Sequence, residues 1–133
     1  MKSYRYLAIL LVAFLAMTNL TACDDEQVGK WPPMEWEPDV KDEPITVDAA
    51  GYTYRFTCKN YGYFWINDIA DGDIRYTPTD TGHAQGDWYS VTAEGATLTV
   101  SISPNDTGMQ RRLAVGIESG DTFCSFGFVQ NER

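Results

Sequence analysis

The sequence predicts an all-β fold, an immunoglobulin-like antiparallel β-sandwich of about seven strands, and three observations carry that prediction. Apolar residues recur at every second position in several short windows. Clusters of Gly, Asn, Asp, Pro and Ser separate those windows at the spacing of turns. Beyond the first 22 residues no window shows the spacing of an amphipathic helix. Alternation with a period of two is what a half-buried strand produces, because successive side chains leave opposite faces of a sheet.

The elements follow in chain order. Residues 1–5 carry Lys2 and Arg5, and residues 6–20, "YLAILLVAFLAMTNL", form an apolar run that no charge interrupts. This reads as an export signal. It is shorter than the roughly 20 apolar residues of a permanent membrane helix, which is the second reading, and it closes on the small or polar Thr18, Asn19, Thr21 and Ala22.

Leu20-Thr21-Ala22-Cys23 resembles the lipobox of bacterial lipoproteins, where the signal is cut just before the cysteine and its thiol is diacylated. The resemblance implies a signal peptide over 1–22 and a membrane anchor on Cys23, with palmitate-type chains. Each buried methylene contributes about 0.8 kcal/mol, so two or three chains hold a protein where one binds reversibly. The acids Asp24, Asp25 and Glu26 resemble the surface-export signal of Bacteroidetes lipoproteins. That implies an outer membrane lipoprotein at the cell surface; the periplasmic side is the alternative.

The chain has ten basic and nineteen acidic residues, a formal charge of −9. Loss of 1–22 removes Lys2 and Arg5 and leaves eight against nineteen, hence −11. Such a balance repels phosphate backbones and anionic lipid surfaces, so nucleic acid is not an expected partner.

Residues 23–44 are rich in Pro and acids and lack periodicity, as an extended tether would. Trp31 and Trp36 are unusual there and are expected to fold back on the domain or meet a partner. Residues 45–133 suffice for one compact domain with a modest core.

Within the domain, "YTYRFTCK" sets Tyr52, Tyr54, Phe56 and Cys58 on one face. "ATLTVSIS" sets Leu98, Val100 and Ile102 together, "RRLAVGIE" sets Leu113, Val115 and Ile117, and "FCSFGFVQ" sets Cys124, Phe126 and Phe128. Turn signals at 50–51, 60–62, 71–73, 94–95, 104–108 and 119–121 separate the strands. Cys58 and Cys124 both fall on inward faces of an exported chain, where they can form a disulfide worth roughly 4 kcal/mol, or pack as two buried thiols.

Residues 45–130 resemble a BACON domain, a β-sandwich module of Bacteroidetes surface proteins often attached to carbohydrate-active enzymes. The likeness rests on "ITVDAAGYTYRFTCKN", on "WYSVTAEGATLTVSISPNDTGMQRRLAVGIE" with Trp88, Asn105 and Arg111 in order, and on the closing "SFGFVQ" ending at Gln130. The cysteine pair and the lack of a neighbouring module within this chain depart from the usual form. The resemblance implies a sandwich fold and a carbohydrate-binding or accessory role.

A glycan-binding face needs flat exposed aromatics beside carboxylates or amides. The candidates are Tyr61, Tyr63 and Trp65 in "NYGYFWIND", which also holds Asn67 and Asp68, and Tyr76, His83 and Trp88 in "RYTPTDTGHAQGDWY". Against this stands core packing, which a sandwich tryptophan such as Trp65 or Trp88 favours about two to one. His83 is the sole histidine, and zinc sites draw on several His or Cys, so no metal or cofactor is expected. Asp68, Asp71 and Asp73 lack the spacing of a calcium loop. No nucleophile triad or phosphate loop appears, so no catalytic residue is named and the chain is not expected to be an enzyme. The expectation is a surface-anchored, non-catalytic lipoprotein, a carbohydrate-binding or accessory module of the envelope. The alternative is a structural or protein-interaction module that meets an envelope partner through the tether tryptophans or an exposed strand edge.

Overall fold

The computed structural model describes residues 31–133, so the signal peptide, the lipobox and Cys23 lie outside the described residues. The folded unit runs from Pro32 to Arg133 and is all-β. Its strands are β1 (Trp36–Glu37), β2 (Ile45–Val47), β3 (Tyr52–Cys58), β4 (Trp65–Asp71), β5 (Ile74–Tyr76), β6 (His83–Gln85), β7 (Tyr89–Glu94), β8 (Thr97–Ile102), β9 (Arg111–Ser119) and β10 (Thr122–Gln130). They form two five-stranded sheets, β1-β3-β8-β7-β6 and β2-β10-β9-β4-β5, which face each other as a sandwich.

Ten strands stand where about seven were expected, because β1, β2, β5 and β6 have only two or three residues. Elements so short show no period of their own and exist through pairing with a longer neighbour. All pairs are antiparallel except β2 with β10, which run parallel from Ile45 opposite Phe128 to Val47 opposite Gln130. Three hairpins have two-residue loops opening on Gly72, Gly95 and Gly120, each at φ near +57°, a backbone conformation that glycine adopts at no steric cost.

Most members of the inward sets fill the core as the alternation predicts, but Tyr52, at the start of β3 beyond the cover of β1, is exposed, and Tyr54 and Cys124 are half-buried. Phe56, Leu98, Val100, Ile102, Leu113, Val115, Ile117, Phe126 and Phe128 are all buried. Residues 32–44, expected to be tether, instead belong to the folded unit. Trp36 lies 4 % exposed, edge-on to Phe64 at 5.2 Å and to Phe126 at 4.9 Å. An indole offers more apolar area than an exposed linker can leave in water, and burying it offsets the ordering of the segment. Trp31, the other tether tryptophan, is 46 % exposed.

Cys58 and Cys124, which could have been bridged, are free thiols. They sit on opposite sheets, and each has another neighbour. Cys58 Sγ donates to Asn60 Oδ1 at 3.4 Å and pairs across the strand with Trp36. The buried Trp36 N–H makes no hydrogen bond of ordinary geometry but faces the Cys124 sulfur. Burial is the main influence on the Cys124 thiol and pushes its pKa up.

One end of the sandwich is tied by a polar network. Gln130 is fully buried; its Nε2 donates to the carbonyls of Ser103 (2.8 Å) and Asp48 (3.1 Å), and its Oε1 accepts from Arg111 Nε (2.8 Å). Arg111 also donates to the carbonyls of Ser103 and Pro104. Asn105, likewise buried, donates to the carbonyls of Met109 and Asn131. Buried amides are in the large majority hydrogen-bonded, and the partners of these two tie the β8–β9 connection to β10 and the residues after it.

Candidate functional site

The outer face of the sheet β2-β10-β9-β4-β5 carries the candidate site. Its register sets three rows of outward side chains across the strands. Phe123, Glu118 and Trp65 form the first row; Ser125, Gly116 and Asp68 the second; Gly127, Ala114, Ala70 and Arg75 the third. The middle of this face is therefore floored by glycine and alanine, with larger side chains at its margins.

A β-bulge in β4 between Ile66 and Asp68 places both Asn67 and Asp68 beside Gly116. The extra residue swings the Asn67 amide over the floor, and only glycine leaves room for it. A Cβ on residue 116 would lie 2.5 Å from Asn67 Oδ1 and 3.1 Å from Asp68 Cβ. Asn67 Oδ1 is buried and has no hydrogen-bond partner, which costs about 1–3 kcal/mol for such a group. Bulges commonly re-aim side chains at functional sites.

Asp68 is gripped by Arg75, whose Nε lies 2.8 and 3.1 Å from the two carboxylate oxygens and whose Nη2 lies 2.7 Å from one of them. That contact raises the Arg75 pKa above its ordinary value. The pair presents a planar array of donors and acceptors at the margin of the floor. Tyr63 (64 % exposed) and Phe123 (63 % exposed) add apolar rings at the same end, and Tyr63 leans on Trp65 with centroids 6.0 Å apart. Three hollows run over this face. One of about 330 Å³ lies between Asn67, Asp68, Arg75 and Phe123. A second of about 380 Å³ lies between Pro44, Phe123 and Ser125. The third, about 250 Å³, lies over Ala70, Ala114 and Gly127.

Of the six aromatic and histidine candidates, Tyr63 and Trp65 come together here, while the others lie elsewhere. Tyr61 donates its hydroxyl to the Pro32 carbonyl at 2.6 Å and packs on the core. Tyr76 is on the inner face, 2.6 Å from the Tyr89 hydroxyl. Trp88 is half-buried at the end of the sandwich, with Arg111 above its ring and its Nε1 donating to Asp71 at 3.1 Å. His83 lies exposed on the other sheet, 3.4 Å from Thr92 Oγ1. Phe123, Arg75 and Gly116 were missed. Phe123 had a signal, since the alternation that turns Cys124 inward turns its neighbour outward; the bulge and its glycine had none.

Asp71 serves Trp88 while Asp68 serves Arg75, so the aspartates of this segment do not converge. Among the described residues no three His, Cys, Asp or Glu side chains gather as metal ligands would.

Neither a protein-family model nor a curated protein matches the sequence. Among solved structures, the chain is similar to the NMR structure of a protein from Bacteroides thetaiotaomicron, with a TM-score of 0.72 and 33 % sequence identity. The match covers 79 % of this chain and 92 % of that one. The two chains belong to one family. The family likeness extends over nearly the whole of the other chain, so the sandwich is shared as a complete unit.

Proposed function

We propose that the chain is a surface-anchored, non-catalytic lipoprotein whose BACON-like sandwich binds glycan on the outer face of the β2-β10-β9-β4-β5 sheet. One observation carries the reading: Tyr63, Trp65 and Phe123 stand at one end of a glycine and alanine floor, beside the Asp68–Arg75 pair. The apolar faces of sugar rings stack on aromatic rings, hydroxyls bond to carboxylate and guanidinium groups, and a floor of glycine and alanine leaves room for a flat ligand. Binding sites generally combine apolar walls with a few fixed polar groups in this way.

Hydrolysis is not part of the proposal. Glycosidases use two carboxyl groups flanking the bond. Here Asp68 is held by Arg75 and Glu118 stands in the aromatic row of an open sheet face. The anchor rests on the lipobox and the acids after it, and Lys/Arg-poor composition favours neither nucleic acid nor direct adsorption on anionic lipid.

The test is a glycan array probed with the soluble chain from Asp24 onward, followed by calorimetry on any glycan retained. Saturable binding that Trp65→Ala removes supports the reading; no retained glycan at millimolar sugar overturns it. Separately, Cys23→Ser in the full chain should abolish palmitate labelling and membrane retention, and unchanged labelling refutes the anchor.

A further inference from the structure

The outer face of the β2-β10-β9-β4-β5 sheet has unlike halves on either side of a central row, Ser125, Gly116 and Asp68. On β10, Phe123 and Gly127 stand equally far from Ser125; on β9, Glu118 and Ala114 stand equally far from Gly116; on β4, Trp65 and Ala70 flank the bulge. The large side chains are all in one row and the small ones all in the other. Further out, the turn with Asp121 follows the large row, and Arg112, opposite Val129, follows the small one.

A two-fold axis lying along the central row, in the plane of the face, turns one half onto the other. It reverses the strand direction and keeps each strand opposite itself. In two copies stacked this way Phe123 meets Gly127, Trp65 meets Ala70 and Glu118 meets Ala114, and each contact occurs twice. The exposed Phe123 ring then enters the hollow of about 250 Å³ that Ala70, Ala114 and Gly127 floor and Pro44 and Val129 wall. Charge matches as well. Arg112 is exposed and has no ion pair among the described residues, and the axis sets it against Glu118 and Asp121 of the other copy, which also have none. At the axis Asp68 approaches its own equivalent, each already matched by Arg75 at 2.7 Å. Lys41 and Asp42 offset each other at the β10 margin, and Glu43 and Asp73 lie before β2 and in the β4–β5 turn. The formal charge of −9 on each chain opposes association, but salt confines such fields to about 8 Å at physiological strength.

We propose that a second copy of this chain covers the face, as an isologous dimer about that axis. The face is about 24 Å wide over five strands and about 27 Å long from Asp121 to Val129, at the usual strand spacing and rise. Two copies therefore cover at most about 1,300 Å² together, near the lower limit of about 1,200 Å² for stable specific interfaces. The dimer is accordingly weak and exchanges with monomer on dilution. A glycan on this face uses the same floor, so sugar and second copy exclude each other. Self-association is read without any sugar, so the dimer and the glycan reading fail separately.

The test is sedimentation equilibrium of the chain from Asp24 onward between about 1 μM and about 1 mM, the range in which an interface of this size dissociates, with ¹⁵N spectra recorded on dilution. The expected result is a monomer–dimer equilibrium within that range and dilution shifts at Phe123, Ser125 and Gly127. Phe123→Ala should weaken association about tenfold, as loss of an aromatic anchor does. Arg112→Glu and Glu118→Arg should each weaken it about tenfold, since each sets like charges against each other. An equal mixture of those two variants should associate within about threefold of the unaltered chain, because every contact of the mixed dimer again joins opposite charges. A folding defect in either variant would not be repaired by mixing. A chain that stays monomeric to about 1 mM, dilution shifts centred on β3 and β8, or a mixture that associates no better than either variant alone overturns the proposal.

Discussion

The Arg111 guanidinium lies 4.5 Å from the centroid of the Trp88 ring and, from the same position, holds the buried Gln130 amide at 2.8 Å. The residues on which the BACON resemblance rested thus meet at one end of the sandwich, and the fold employs them. Arg111→Ala should cost about 2–3 kcal/mol, the sum of a cation–π contact and a charge-assisted hydrogen bond to a buried acceptor. Arg111→Lys should recover little of it, since an ammonium cannot reproduce the planar fork. Urea unfolding at constant slope measures both, and a loss below about 0.5 kcal/mol for the alanine variant contradicts the assignment.

Tyr63→Ala and Phe123→Ala separate the platform from the fold. Both rings are mostly exposed, so stability should change by no more than about 0.5 kcal/mol. Affinity for a glycan found on the array should fall about tenfold for each, as loss of an aromatic anchor commonly costs over 1 kcal/mol. Trp88→Ala should show the opposite pattern, with unfolding affected and affinity unchanged.

Gly116→Ala tests the bulge. The new methyl meets Asn67 Oδ1, and strain of about 1–3 kcal/mol is expected. Asn67→Ala in the same chain should relieve most of it, because the unpartnered acceptor leaves with the clash. Additive losses in the double variant would show that the two positions do not touch.

A chain beginning at Ile45 should be far less stable than one beginning at Pro32. It lacks Trp36, and removal of a buried tryptophan side chain costs about 3–5 kcal/mol. It also leaves Phe64 and Phe126 without their edge-on partner. Thermal unfolding of the two chains, followed by near-ultraviolet circular dichroism, decides the matter; equal midpoints would return 32–44 to the tether.

Alkaline pH should destabilise the domain. Burial raises the Cys124 thiol above 9.0, and burial raises Tyr54 and Tyr89 above 10.0, with the Tyr76 hydroxyl adding to the effect at Tyr89. The folded state therefore holds these protons more tightly than the unfolded chain. Their contribution is full below about pH 9 and is lost as pH rises through 9 for the thiol and beyond 10 for the tyrosines. Denaturant midpoints from pH 7 to 11 should fall in that order, and Cys124→Ser should remove the first part of the decline.

The period-two windows, read alone, identified the inward residues of β8, β9 and β10 and, apart from the exposed Tyr52, those of β3. Alternation is a local property of the chain and survives without knowledge of partners. It also implied that Phe123 faces out, although a bulky aromatic beside an inward cysteine is easily passed over. The short strands were not legible, since two or three residues carry no period.

The sequence by itself determined the all-β class, the inward faces of its long strands and the acidic balance of the chain, because each depends on near neighbours or on a sum over residues. Only the tertiary structure decided that Trp36 belongs to the core, and that Tyr63 and Trp65 share a face with Phe123 while Trp88 lies under Arg111. Those outcomes depend on pairings between distant segments, such as Trp36 with Cys58 and Trp65 with Glu118. The free energy of such pairings lies in contacts that no single window of sequence contains.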